Sequence, residues 1–476
     1  MWWMIVGAAF ADRPDEGSGL FSFDAADVLA YTDGPTGMVR VHYSIDGPNV
    51  TRLDDEDGSG APDFPELIAE TAEDVLRFYD EQGFLSPLSE ADLGLGELGG
   101  SPAFDFYLVD FGNSSTGNFA IDACAGSQCA GHMLIENDFA GFGFSSLAFA
   151  ARVLCSHELF HAVQAAYIAD QSIWFSEGTA TWAVNQYDPG SRDFLGFANA
   201  YLDETDRSLD RPPAAPVPAF AYGTALFFQY LTERFGPGTG PDLQQALTDF
   251  GSDGGIDAII DVIAQNGSTL EAEWPRFARW NLATGFRTGD ESYPFADLLG
   301  GIRTTTSGET ALVDDNRFYP LAASYFRLEH PGGDVNFASA EDLTGLTFSL
   351  HPENGAALEI WSPQGPDART FPSLDAGRYW LVGSYPAPAA QSVKAEFCLG
   401  RDCDLSVIDD ANADSGSPDA PEPQPRSGCA TTDAATAGGR APAARLWFGR
   451  VRAARVRVGV IDHAEVAVTA QAEFCL

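Results

Sequence analysis

The chain has 476 residues, too many for one ordinary domain, and 45% of them are apolar, enough for sizeable cores. Its formal net charge is -43, with 69 acidic residues against 26 basic ones. That field repels nucleic acid and anionic membranes, which excludes both as partners of the folded part.

Residues 1–16 are expected to be a signal-like segment. Met1 to Ala11 is a short apolar run ending in Ala9-Phe10-Ala11, a signal-peptidase pattern, although no basic residue precedes it. The alternative is a buried N-terminal strand. No later stretch reaches the ~18 uninterrupted apolar residues of a membrane span. Val39 to Ser44 alternates as a strand.

Asp55 to Glu66 follows, and its oxygen-bearing side chains Asp55, Asp57, Ser59, Asp63 and Glu66 match the spacing of a calcium loop. Gly60 takes the sharp-turn position, while Pro62 and Pro65 are unusual there. The alternative is a solvated acidic turn. A helix then carries Leu67, Ile68, Ala72, Val75, Leu76 and Phe78 at helical spacing.

Phe104 to Phe111 and Gly131 to Asn137 read as further strands. A small sheet of this kind is expected to lay an edge strand over a cleft and pair it with an extended peptide. Between these strands lie Cys124 and Cys129. With Cys398 and Cys403 they form two close pairs, the pattern of loop-closing disulfides in an exported protein. A zinc site built from these four cysteines is the alternative, with loose ligand spacing. Cys155 is expected to be a buried free thiol.

The central stretch is Ser156-His157-Glu158-Leu159-Phe160-His161, on a helix capped by Ser145 or Ser146. Residues four apart share a helix face, so His157 and His161 can present two imidazoles to one ion. Glu158 lies beside them, where it can act on a water. A helix can also hold such a set for packing alone, so a third ligand decides. Glu177 follows in Trp174-Phe175-Ser176-Glu177-Gly178-Thr179, far enough on for a turn and a return helix. Two histidines and a carboxylate leave a fourth position open on zinc, the arrangement of a catalytic site. Glu158 is then the general base. Tyr222, opening a helix over 222–235, is the candidate donor to the oxyanion, with His132 second; a core phenol is the alternative for Tyr222. Residues 243–283 continue the helical pattern.

From about residue 304 short alternating runs separated by Gly, Pro and Asp turns give the signature of a β-sandwich. Residues 404–427 are rich in Asp, Pro, Ser and Ala and read as a disordered linker. Residues 428–476 carry spaced arginines after Ser427-Gly428-Cys429-Ala430-Thr431-Thr432, and are similar to bacterial surface-sorting tails; an ordinary basic tail is the alternative.

His157-Glu158-x-x-His161 with a downstream Glu177-Gly178 resembles the gluzincin metallopeptidases. The likeness is closer to peptidase-MA-like and hyicolysin-like secreted proteins, whose third-ligand motif W-x-x-E-G-x-A matches Trp174 to Ala180. It covers roughly residues 38–285 and is specific at the zinc motifs. It implies a thermolysin-like fold with His157, His161 and Glu177 as zinc ligands and Glu158 as base. Many gluzincins place a carboxylate one turn after the third ligand to orient a zinc histidine, and Thr181 stands there instead.

The expectation is therefore an α+β protein. A zinc peptidase domain over 17–300 precedes a β-sandwich over 304–403, a linker and a tail. It would act on peptides or proteins outside the cell or on a bacterial surface, with zinc and a calcium ion bound. A non-catalytic surface or adhesion protein stabilised by its metal is the alternative.

Overall fold

A twisted five-stranded sheet supports everything that surrounds the histidine motif. Its strands are β1 (Leu29–Asp33), β2 (Val39–Ser44), β3 (Phe104–Val109), β4 (Gly117–Ala125) and β5 (Gln128–Glu136). They lie in the order β1-β2-β3-β5-β4. Strands β2, β3 and β5 run parallel, and antiparallel β1 and β4 close the two sides. The computed structural model describes residues 13–17, 21–112, 114–212, 217–250, 255–303, 306–388 and 391–403. All belong to one compact unit, Met1–Ser415.

The strand pleat sorts side chains onto two faces. Val39, Val41, Phe106, Leu108, Met133 and Ile135 point to the main core, where they meet α1 (Asp63–Glu81) and α2 (Leu147–Tyr167). Tyr107, Val109, Ala120 and Leu134 point the other way, onto Phe23 and Phe111. Helix α1 is amphipathic and buries one side. Helix α2 is apolar around most of its circumference, as a helix buried on several sides must be. Leu159 is fully buried between the two motif histidines in sequence, so truncating it to alanine should cost about 2–5 kcal/mol.

A helical layer continues with α3 (Ile173–Tyr187), α4 (Asp193–Leu202), α5 (Ala219–Gly223) and α6 (Ala225–Phe235). It ends with α7 (Thr239–Phe250), α8 (Ile256–Gln265) and α9 (Leu270–Leu282). The single helix expected over 222–235 is thus two, broken at Thr224. The Thr224 hydroxyl bonds to the carbonyls of both Trp174 and Ala221.

The remaining strands form two packed sheets. One is β11 (Glu359–Trp361), β10 (Thr347–Pro352), β13 (Gly377–Tyr385), β8 (Ala322–His330) and β6 (Thr306–Gly308) in spatial order. The other is β12 (Asp367–Leu374), β9 (Gly333–Ser339), β14 (Val393–Gly400) and β7 (Thr310–Phe318). Phe326, Phe337, Phe348, Trp361 and Phe397 fill the space between them. The molecule is α+β. The indole of Trp274 on α9 donates to the Ala322 carbonyl, and the Tyr325 hydroxyl donates to that of Ala278, joining the helices to this sandwich. Lys394, the sole lysine, sits on β14 and pairs with Asp315 and Glu396.

Both expected disulfides form, Cys124–Cys129 and Cys398–Cys403, and Cys155 is a buried free thiol. Among the described residues no helix is long and apolar enough to cross a membrane. Within the segment expected as signal-like over 1–16, Arg13 and Pro14 are buried and Pro14–Glu16 forms a 3-10 turn. The apolar run over 1–12, the linker over 404–427 and the tail over 428–476 lie outside the described residues.

Candidate metal centre

Helix α2 starts where the Ser146 hydroxyl accepts the Phe149 amide, an N-cap that sets the phase of the whole helix. Three turns on, that phase puts His157 and His161 on one face, with ring centroids 5.0 Å apart and planes nearly perpendicular. The chain turns at 168–172 and returns as α3. Trp174 and Phe175, both buried, pack on Phe228 and seat that helix. A Cβ on Gly178 would lie 2.2 Å from the Thr224 hydroxyl, so glycine is what lets α3 approach the α5–α6 junction.

Glu177 is thereby delivered to the histidines. Its Oε2 lies 3.3 Å from His157 Nε2 and 3.7 Å from His161 Nε2. The carboxylate is 1% exposed, and both of its oxygens and His161 Nε2 are buried without a hydrogen-bond partner. Buried polar atoms are normally satisfied. Three unsatisfied ones facing one point fit a small cation, and two imidazoles with a carboxylate are a donor set suited to zinc. His157, His161 and Glu177 are the residues that could hold it.

The orientation of His161 comes from a residue that the sequence reading passed over. His161 Nδ1 lies 2.8 Å from Gln164 Oε1. The Gln164 amide nitrogen donates in turn to the Ser176 carbonyl and the Thr179 hydroxyl at the start of α3. An amide oxygen only accepts, so Nδ1 is the donor in this bond and Nε2 is the nitrogen turned toward Glu177. Gln164 thus does what was expected of a carboxylate at Thr181, whose buried hydroxyl has no partner. The signal was available: Gln164 follows His161 by one helical turn.

The charges of these side chains act on one another. Burial works against the Glu177 carboxylate, but the two imidazoles overcome it and hold its pKa at about 2. Burial likewise opposes a charged His161, and Glu177 overrides it, raising the imidazole to about 9. Glu158 is raised above the ordinary carboxylate range, chiefly by burial, with both histidines easing the rise. A buried carboxylate whose pKa is raised takes up a proton more readily than an exposed one.

Strand β4 forms the wall opposite. The backbone amide of Phe119 bonds to Glu158, and a Cβ on Gly117 would come within 2.9 Å of the Glu158 side chain. This strand was not among those read from the sequence, yet it is the sheet edge nearest the motif. Tyr222, half-buried on α5, has its ring 5.8 Å from that of His157 and 5.1 Å from that of Phe197, tilted to both. Burial, with Glu177 and Glu158 nearby, pushes its hydroxyl well above its usual range, so it is a phenol that donates. His132 is elsewhere: it is fully buried on β5, bonded to Asp122, on the sheet face away from α2.

The acidic loop gathers fewer ligands than its spacing promised. Asp55, Asp57 and Asp63 bring carboxylate oxygens within 4.8 Å of one another. Glu66 is not part of the group, and the Ser59 hydroxyl bonds to the Ala61 carbonyl. The reason is local: Pro62 is extended and α1 begins at Asp63, so Glu66 is already built into a helical turn.

No family model and no curated protein matches the chain. Among solved structures it is similar to a periplasmic inhibitor of g-type lysozyme from Aeromonas hydrophila. That match has 13% identity and a TM-score of 0.18, over 20% of this chain and 95% of that one. It is also similar to a pre-peptidase C-terminal domain of collagenase from Bacillus anthracis, with 11% identity and a TM-score of 0.16. This second match covers 21% of this chain and 91% of that one.

Proposed function

We propose that the protein is an exported zinc metallopeptidase with a gluzincin-like, thermolysin-like catalytic domain followed by a sandwich domain. The observation that carries the reading is the convergence of His157, His161 and Glu177 with Glu158 alongside and a sheet edge facing it. A structural zinc usually takes four protein ligands and has no need of a buried carboxyl beside an open position.

Zinc, when held by these three side chains, supplies Lewis acidity toward a carbonyl and makes a nearby water more acidic. The protein's own groups do the rest. An extended peptide adds to the free edge of β4 by main-chain hydrogen bonds, which sets its scissile bond over Glu158. Glu158 takes the proton of the attacking water and passes it to the leaving amine. The Tyr222 hydroxyl donates to the oxygen that becomes negative as water adds. Two disulfides favour an oxidising compartment, in line with action outside the cell or at its surface. Calcium binding would rest first on Asp55, Asp57 and Asp63.

The deciding experiment is Glu158→Gln, assayed on unfolded protein substrates beside metal analysis. Wild type should bind zinc and cleave, and the variant should bind zinc without cleaving. Equal cleavage by both would remove the proposed base. Zinc bound with no cleavage by wild type would favour the non-catalytic surface protein.

A further inference from the structure

Away from the metal centre, on the other face of the sheet, Arg13 is 2% exposed. Its guanidinium grips Asp122 twice, Nε to Oδ1 at 3.2 Å and Nη2 to Oδ2 at 2.6 Å. Nη1 reaches Asp105 at 2.5 Å and the Tyr107 hydroxyl at 3.2 Å, and Glu90 lies 3.2 Å from Nη2. The three carboxylates are 0–4% exposed. His42 and His132 flank them, bonded to Asp105 and Asp122. Arg13 is the one side chain here whose charge is independent of pH, and buried carboxylates persist only when paired.

The position of Asp122 is itself informative. Ile121 pairs with Gly131 and Ala123 with Ala130, so Asp122 is the extra residue of a β-bulge in β4. Bulges re-aim side chains, and this one turns a carboxylate toward Arg13. Among the described residues, strand β4 has a neighbour on one side only. It is braced at its turn by the Cys124–Cys129 disulfide and in its middle by the Arg13–Asp122 pair. Its opposite end carries Gly117 and Phe119 against Glu158.

We infer that Arg13 is a positioning residue for the substrate-binding edge: through Asp122 it holds β4 at the distance from Glu158 that an added peptide requires. The substrate part rests on the peptidase reading above, whereas the brace does not. It follows that any maturation cut must fall before Arg13, because a chain beginning later would leave three buried carboxylates without their cation.

The test compares the full-length protein with Arg13→Met, using hydrogen exchange resolved by segment, zinc content and peptide kinetics. In the variant, amides of 117–125 should exchange about tenfold faster while those of the sandwich strands stay unchanged. Zinc content should be unchanged, and KM for extended peptides should rise about tenfold with kcat within about twofold. If the variant does not fold, Arg13→Lys, which keeps the charge but loses the two-pronged grip, should show the same exchange pattern more weakly. Unchanged exchange over 117–125, or a rise spread evenly over the whole protein, would overturn the inference. Absence of peptide cleavage by wild type would remove the substrate role alone, since the exchange result reads the brace without it.

Discussion

His161 Nδ1 donates to Gln164 Oε1 across 2.8 Å, and the same glutamine ties α2 to the start of α3. One side chain therefore fixes both the orientation of the His161 ring and the approach of the helix that carries Glu177. Gln164→Leu should weaken zinc binding by about 10–100-fold, measured by chelator competition, because the imidazole loses its orienting partner. Gln164→Glu should retain tight binding, since a carboxylate accepts the same proton. Equal affinity in the leucine variant would assign Gln164 to helix packing alone.

The Tyr222 ring sits beside that of His157 on a five-residue helix of its own. Removing one donor to a developing oxyanion costs on the order of 100-fold in kcat. Tyr222→Phe should show that loss with little change in KM and full zinc content. A change in KM alone would make Tyr222 a substrate contact.

Glu136, on β5, gives a pH signature apart from the histidine motif. Burial pushes its carboxyl up to about 7, the Phe111 amide eases this, and Asp110 and Asp138 add to it. Its pKa is higher folded than unfolded, so the folded state binds more protons between about pH 4.5 and 7. Its contribution to stability is therefore full below that window and lost as pH rises through it, by roughly 1–3 kcal/mol in all. Denaturant melts of Glu136→Gln should show a flatter decline from pH 5 to 7.5 than wild type; parallel declines would discount the group.

Calcium should raise the melting temperature if Asp55, Asp57 and Asp63 hold it. At a hundredfold excess over Kd the gain is about 2.7 kcal/mol, and Asp63→Asn should abolish it. A calcium response that survives Asp63→Asn would place the ion elsewhere.

Much of this arrangement is legible before folding. The four-residue spacing of His157 and His161 needs only the helical period, and Ser146 marks where that helix starts. The strands over 39–44 and 104–109 announce themselves because their apolar residues recur or run together. Strand β4 escapes notice because Asn118 and Asp122 interrupt it, and the polarity of Asp122 is answered by His132 and by Arg13, the latter more than a hundred residues away in sequence. Helix α4 and the break at Thr224 are equally tertiary. The break depends on a hydroxyl that finds the Trp174 carbonyl from another helix. Of the acidic residues at calcium-loop spacing, Asp55, Asp57 and Asp63 lie together in the structure, and Glu66 lies within α1.

Lys394 on β14 is 45% exposed and is the only lysine in the chain. Apart from the terminal amine, amine-reactive chemistry therefore has a single address, on the sandwich and away from the histidine motif. A fluorophore or a resin attached there would orient every molecule alike and leave the histidine motif free. The same scarcity means that digestion with a lysine-specific protease should cut the unfolded chain once, separating nearly all of the described structure from its C-terminal remainder.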